Sequence, residues 1–348
     1  MLLNENITYS CFGIVERLRG GGNGLNRREN LRLALEGKPH EWIPVSFFYH
    51  LRPEQQQGES CTQFHADFFR ETGEDFLKIM HDGLTAPCTL CPSSLEELKE
   101  YRPGKWKNPY VAMYLERAQR INEALKGEAD TYCNVFSPFT LLRRIGDQKL
   151  LSYIQEDVQG IRDVLCRMAE DIGWMAEQMV RDAGCMGIFL AFQGAESNFL
   201  AQGQYEALAE ESDRVVLNAS NGVSPWNILH FCGWNQVKNR LEVWREYPGC
   251  AVNWDTHVEE MTLARGRTFF GMRSVFGGFS NQKNGILYRG TKQEVESEAE
   301  RIVGEYETVW GNTDGLLLGA DCSFLPDFQP ERFRWVTDWS RRSREGKE

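Results

Sequence analysis

Short apolar runs recur along the chain at 43–48 (IPVSFF), 76–80 (FLKIM), 131–136 (TYCNVF), 187–192 (GIFLAF), 226–231 (WNILHF), 250–254 (CAVNW), 270–276 (FGMRSVF) and 315–320 (GLLLGA). They are rich in β-branched and aromatic residues and show little polar alternation, the pattern of strands covered on both faces. Between them, apolar residues return every three or four positions over 108–129, 161–184, 235–249 and 291–310, the period of helices. Gly184 is placed to end the second of these, and Thr291 with Glu294 forms a T-x-x-E capping box before the last.

Eight strands alternating with helices, with no break in composition, predict an α/β protein built as a single closed (β/α)8 TIM barrel over residues 26–348, preceded by an N-terminal extension over 1–25. An open doubly wound sheet would place a glycine-rich phosphate turn after its first strand. The sequence there is YHLRPEQQQGES, and the RGGGNG at 19–24 follows no strand and lacks the Lys-Ser/Thr of a phosphate loop, so it reads as a flexible joint.

Composition narrows the function. A net charge of −11 and a pI near 5.2 argue against nucleic-acid binding and against an anionic membrane surface. No apolar run reaches the roughly 18 residues of a membrane span, and the N-terminus lacks the basic head and apolar block of a secretory signal. Ten scattered cysteines in a chain of 348 residues do not form a small disulfide framework; reduced thiols in the cytoplasm fit better. Cys88 and Cys91 are spaced C-x-x-C, but no second pair follows and prolines flank them, a weak metal or redox signal.

In barrels of this kind the active site lies where strands end, so polar residues just after each run are the candidates. His230 closes the fifth run and Cys232 follows two positions later, on the same face. With six His and ten Cys, about 0.17 such pairs arise by chance, so position rather than spacing carries the signal. Cys322 follows the eighth run, at the same end of the barrel. One imidazole and two thiols suit zinc, and Asp255 after the sixth run is the candidate fourth ligand, with His257 less well placed. The competing reading makes His230 a hydrogen-bonded interior residue and the two Cys small apolar ones. Asp82, Gln193, Ser280 and Asn281 also stand at strand ends, as substrate contacts or as plain loop hydrogen-bonders. Trp226, Phe231 and Trp254 read as core, and Gly277 and Gly278 as a turn or a close backbone approach.

Several of these segments resemble the uroporphyrinogen decarboxylase superfamily of (β/α)8 barrels. NRRENLRLALEGKPHEWIPV is similar to its entry helix and first strand, GEDFLKIMHDGL to its second, and ILHFCG, VNWD and LLLGADCSFLPD to strands five, six and eight. The resemblance spans roughly residues 26–340 and implies one of two chemistries. The first is zinc-dependent methyl transfer between a corrinoid protein and a thiol such as coenzyme M, or another small methyl donor or acceptor. It implies Zn2+ on His230, Cys232 and Cys322 with an acidic fourth ligand, for which Asp255 is the closest match. It also implies a methyl-corrinoid supplied by a partner protein, since no cobalamin-binding segment is recognisable here. The second is metal-free decarboxylation of a tetrapyrrole, with Asp82 as the essential carboxylate. The decarboxylases carry a Met-Arg-Gln-Ala-Gly-Arg loop after the first strand and a Gly-His-Gly after the eighth. This chain has only Arg52 in the first place and GADC in the second. A substrate with eight carboxylates needs several guanidinium partners, so the methyltransferase branch fits better. A non-catalytic barrel holding a structural zinc is a third possibility, and the decarboxylase resemblance implies a homodimer.

Overall fold

The computed structural model describes residues 25–84 and 92–342. The N-terminal extension, but for Leu25, and the Cys88/Cys91 pair lie outside them. Seven strands form one parallel sheet in sequential order: β1 (Phe76–Ile79), β2 (Asp130–Phe136), β3 (Gly187–Phe192), β4 (Ile228–Phe231), β5 (Ala251–Trp254), β6 (Ser274–Phe279) and β7 (Leu316–Ala320). Parallel neighbours need crossover connections. The main ones are α4 (Pro109–Leu125), α7 (Val158–Arg181), α8 (Gln204–Asn221), α9 (Leu263–Phe269) and α11 (Lys292–Trp310). The short helices α3 (Leu95–Lys99), α5 (Pro138–Leu142), α6 (Asp147–Glu156) and α10 (Ile286–Arg289) lie between them, α1 (Arg27–Leu35) and α2 (Gly58–Thr72) precede the sheet, and α12 (Glu331–Arg342) follows it. No helix among the described residues is long and apolar enough to cross a membrane.

The first run, at 43–48, does not join the sheet as a strand. Val45 makes an isolated parallel bridge to Leu318 of β7, where Ser46 N donates to Leu318 O and Leu318 N to Pro44 O. On its other side Val45 O accepts from Asp75 N and Ser46 Oγ donates to Phe76 O. The segment thus contacts both edges of the sheet.

Register sets what the interior contains. Residues two apart on a strand share a face, and Phe76, Tyr132, Phe189, Ile228, Ala251, Phe276 and Leu317 pack into one buried cluster with Phe48. One step further toward the strand ends, the same face carries Lys78, Asn134, His230 and Asn253, all buried. The inner face is therefore apolar at its floor and polar toward its mouth. A second, larger cluster on the outer faces, including Val135, Leu190, Val252 and Val275, packs against the helices.

Two elements depart from the sequence pattern. The run at 270–276 is not one strand: Gly271 and Met272 adopt positive φ and turn the chain out of α9, and β6 starts at Ser274. It then runs through Gly277 and Gly278, whose missing side chains leave room for Asn253 Nδ2 and Ile302. The helix expected at 235–249 is only a 3-10 turn at Leu241–Trp244. Arg240 holds this loop by donating to the carbonyls of Glu196, Ser197 and Leu200, and Trp244 stacks on Phe231 at 5.1 Å. These tertiary contacts outweigh the apolar periodicity. The other expected helices form, and Thr291 and Glu294 make the reciprocal capping box of α11. α7 ends at Arg181, so Gly184 lies in the turn beyond its cap.

Candidate metal centre and its cavity

His230, Cys232 and Cys322 converge. Their ligand atoms all lie within 4.8 Å of one another, although 92 residues separate the first from the last. Cys232 Sγ is 3.8 Å from Cys322 Sγ, which is 3.7 Å from His230 Nε2. Two thiolates on one tetrahedral zinc, with bonds of about 2.3 Å, stand about 3.8 Å apart, and a thiolate and an imidazole nitrogen about 3.5 Å apart. The donor set and its spacing fit a zinc ion.

The local sequence explains the aim of each group. His230 points inward because β4 alternates, and its Nδ1 lies 2.5 Å from Asn253 Oδ1 on β5. Asn253 Nδ2 donates to Phe276 O at 2.7 Å and to Ala320 O at 3.1 Å, which fixes the amide with its oxygen toward the ring. His230 must then carry its proton on Nδ1, leaving the Nε2 lone pair facing the sulfurs. Cys232 donates its backbone N–H to Phe192 O, which ties it beside the end of β3. The two thiols lie within hydrogen-bond reach of each other. Hydrogen bonding from Cys232 and the nearby Lys78 charge hold Cys322 well below the ordinary thiol range despite burial, and Cys232 is raised correspondingly. Replacing Asn253 by Ala frees the imidazole to rotate and change tautomer. Asn253→Ala is expected to weaken metal affinity by about 10–100-fold, measured by competition with a chromophoric chelator.

Asp255 does not stand with these three. Its nearest metal-ligating neighbours are His257 and Asp321, a separate trio whose ligand atoms also lie within 4.8 Å of one another. Asp255 Oδ1 accepts from Val258 N at 2.8 Å and His257 N at 3.1 Å, while Asp321 accepts from Thr256 Oγ1 and His257 Nδ1. Burial and the adjoining Asp321 charge push Asp255 up to about 8. Gly233 makes the close approach possible, since a Cβ there would lie 2.6 Å from Asp255 Cβ.

The His230–Cys232–Cys322 trio opens into a cavity of about 350 Å³ that Asp82 and Gln193 also line. Asp82 accepts from Leu51 N at 3.1 Å and pairs with His50 Nδ1 at 2.9 Å. Burial raises its pKa, but His50, His81 and the Leu51 N–H outweigh that and hold it at about 2. Gln193 hydrogen-bonds toward Cys232. Ser280 and Asn281 lie elsewhere: Ser280 lines a surface groove with His257, and Asn281 donates to Ser323 O. Phe231 and Trp254 are fully buried, and Trp226 is partly so.

The cavity also holds groups that the strand-end rule passed over. Lys78 of β1 is buried, with its ammonium 4.1 Å from the ring centroids of both Phe48 and Phe189. Burial lowers its pKa to about 8 against the raising effect of Cys322, Cys232 and Asp82. A lysine inside the run FLKIM was the visible signal. His81, Asn134 and Arg144 complete that wall.

Residues 82–343 match the family described as Uroporphyrinogen decarboxylase (URO-D). The chain belongs to this family. Among solved structures, a methyltransferase from Methanosarcina mazei is similar with a TM-score of 0.70 at 15% identity, covering 91% of this chain and 98% of that one. Xylanase B from Clostridium stercorarium F9 gives a TM-score of 0.45 at 11% identity, covering 85% and 97%. At these identities the likeness to the methyltransferase is one of fold. No protein in the curated set compared with the chain matches it.

Proposed function

We propose that this member of the URO-D family is a zinc-dependent methyltransferase that moves a methyl group between a corrinoid carried by a partner protein and a small thiol. The observation that carries the reading is the convergence of His230 Nε2, Cys232 Sγ and Cys322 Sγ at zinc-ligand spacing on the wall of a cavity. Similarity in fold to a methyltransferase over nearly the whole chain supports it. So does the cavity size, at the small end of the range for small-molecule sites. The closed eight-stranded barrel belongs to the same reading, with the segment around Val45 standing between β7 and β1.

Zinc on these three side chains would lower the pKa of a substrate thiol and present it as thiolate. The protein's part is to hold the imidazole through Asn253, to bury His230 and Cys232 away from competing water, and to keep His50, paired with Asp82, in the same cavity as a group that can take the released proton. In the transfer a sulfur–carbon bond forms as the methyl–carrier bond breaks, and the bonding pair stays with the carrier. Asp255 stands next to the trio and is its candidate fourth ligand if its own cluster rearranges.

The test is metal content together with methyl transfer from methylcobalamin to a thiol, followed by the absorbance of the cobalt–carbon chromophore. About one zinc per chain is expected, with transfer lost on chelation and restored by zinc. Full activity in zinc-free protein, or decarboxylation of uroporphyrinogen by it, would reject the reading.

A further inference from the structure

Among the described residues two pairs of thiols meet: Cys232 with Cys322, and Cys133 with Cys185. The second pair lies apart from the first. Cys133 is on the outer face of β2, and Cys185 stands in the connection of 182–186 that leads from α7 into β3. His230, Cys232 and Cys322 are at the opposite, C-terminal ends of β4 and β7. Two backbone bonds fix the approach: Cys185 N donates to Met179 O and Met186 N to Thr131 O, both at 2.9 Å. The two sulfurs lie 3.5 Å apart. Their surroundings differ. Cys133 is sealed at 0% exposure, with Met179 Sδ 3.3 Å from its sulfur. Cys185 is 4% exposed and directly follows the exposed Gly184. Thr131 Oγ1 donates to Asn122 Oδ1 at 2.8 Å, which orients that amide. Asn122 Nδ2 then donates to Ala183 O at 2.7 Å and faces Cys185 Sγ at 3.6 Å. Hydrogen bonding, that of Cys133 first, holds the Cys185 thiol below its ordinary range despite burial, whereas burial pushes Cys133 well above it.

We propose that Cys185 and Cys133 are a peroxide-reactive pair that closes to a disulfide, Cys185 meeting the oxidant and Cys133 resolving the product. In the first step the Cys185 sulfur attacks one oxygen of hydrogen peroxide. An S–O bond forms as the O–O bond breaks, and the leaving hydroxide takes up the thiol proton as water. In the second step the Cys133 sulfur attacks the Cys185 sulfur. An S–S bond forms as the S–O bond breaks, and the leaving hydroxide takes the Cys133 proton as a second water. Two thiols lose two electrons, and one peroxide becomes two waters. The order follows from the surroundings. The thiolate is the attacking species, and of the two only Cys185 has side-chain donors from outside the pair and adjoins an exposed turn. Closing from 3.5 Å to a bond of about 2.05 Å falls on Cys185, which stands in a turn rather than in the sheet. The bond would tie β2 to the start of β3 across 52 residues, and a dithiol would reverse it.

The experiment treats the purified full chain, with zinc added, with hydrogen peroxide near neutral pH. Remaining thiols are blocked with iodoacetamide, and linked peptides are mapped by tandem mass spectrometry with and without dithiothreitol. The expected result is a Cys133–Cys185 linked peptide that peroxide raises about tenfold or more over untreated protein and that dithiothreitol removes. Cys133→Ser should stop the reaction with Cys185 as a sulfenic acid, captured by dimedone. Cys185→Ser should leave Cys133 unlabelled by the same reagent. Cys166→Ser, which changes a thiol outside the pair, should form the link as the wild type does. Peroxide that leaves Cys133 and Cys185 as free thiols in the wild type would overturn the proposal, whatever the variants do. Capture by dimedone at Cys133 in Cys185→Ser, equal to that at Cys185 in Cys133→Ser, would overturn the assigned order of the two steps.

Discussion

Cys322→Ser and His230→Ala are each expected to reduce bound zinc from about one equivalent to below about 0.1 and to lower methyl transfer by about 10³-fold or more. A three-ligand set gives tight binding only when complete, and either change leaves two donors, Cys232 with His230 or Cys232 with Cys322. The rate loss has two parts. A free thiol with pKa near 8.5 is only about 3% ionised at pH 7, so loss of activation alone costs about 30-fold. Loss of placement, the sulfur no longer held against the methyl carbon, accounts for the larger remainder. Elemental analysis reads the first effect and the methylcobalamin assay the second. Cys166→Ser is the control, because Cys166 sits partly exposed on α7, away from the cavity, and should keep both metal and activity. Retention of stoichiometric zinc in Cys322→Ser would move the metal elsewhere, and retention of activity without zinc would remove the mechanism.

Much of this site could be read before folding because it depends on two short-range rules. Alternation along β4 puts His230 and Cys232 on one face, and parallel strands put the ends of β4 and β7 at the same end of the sheet. The strand-end rule then brings in Cys322, Asp82 and Gln193. Ser280 and Asn281 do follow the end of β6, but they are not among the residues lining the cavity: Ser280 lines a groove toward α11 and Asn281 donates to Ser323 O. The rule missed Lys78, Asn134 and Asn253, which lie within strands rather than after them. Polar residues inside an apolar run are informative in this protein, since each buried one needs a partner that only the folded sheet can supply. Asn253 finds three, on β4, β6 and β7, whereas Lys78 finds only ring faces. Asp255 shows the limit of spacing: the run VNWD places it next to Cys322, but the turn that follows donates two backbone N–H groups to its carboxylate and draws it toward Asp321. For the loop at 235–249, periodic apolar residues gave no warning that Arg240 would find three carbonyls and Trp244 an aromatic face.

Asp213→Asn is expected to gain about 4 kcal/mol on the wild type between pH 4 and pH 7. Asp213 is fully buried on α8, and its Oδ2 accepts from Tyr205 OH at 2.8 Å and Tyr247 OH at 3.1 Å. Burial pushes its pKa up to about 7 even though both phenols favour the charged form. In the unfolded chain the carboxyl titrates near 3.9. Between those values the folded state holds a proton that the unfolded state has released, so stability falls as pH rises, by about 1.4 kcal/mol per unit over about three units. The contribution is complete below about pH 4 and gone above about pH 7. Asparagine keeps an acceptor for the phenols and carries no charge at any pH, so it removes this slope and no other. Other buried acids, Glu74 among them, bend the wild-type curve too. The informative quantity is therefore the difference between the two proteins, taken from denaturant unfolding at half-unit steps from pH 4.5 to 8. A difference that grows in favour of Asp213→Asn and levels off near pH 7 is the expected outcome. A difference independent of pH would mean that Asp213 is already ionised in the folded protein at pH 4.5, stabilised by the two tyrosines beyond what its burial costs.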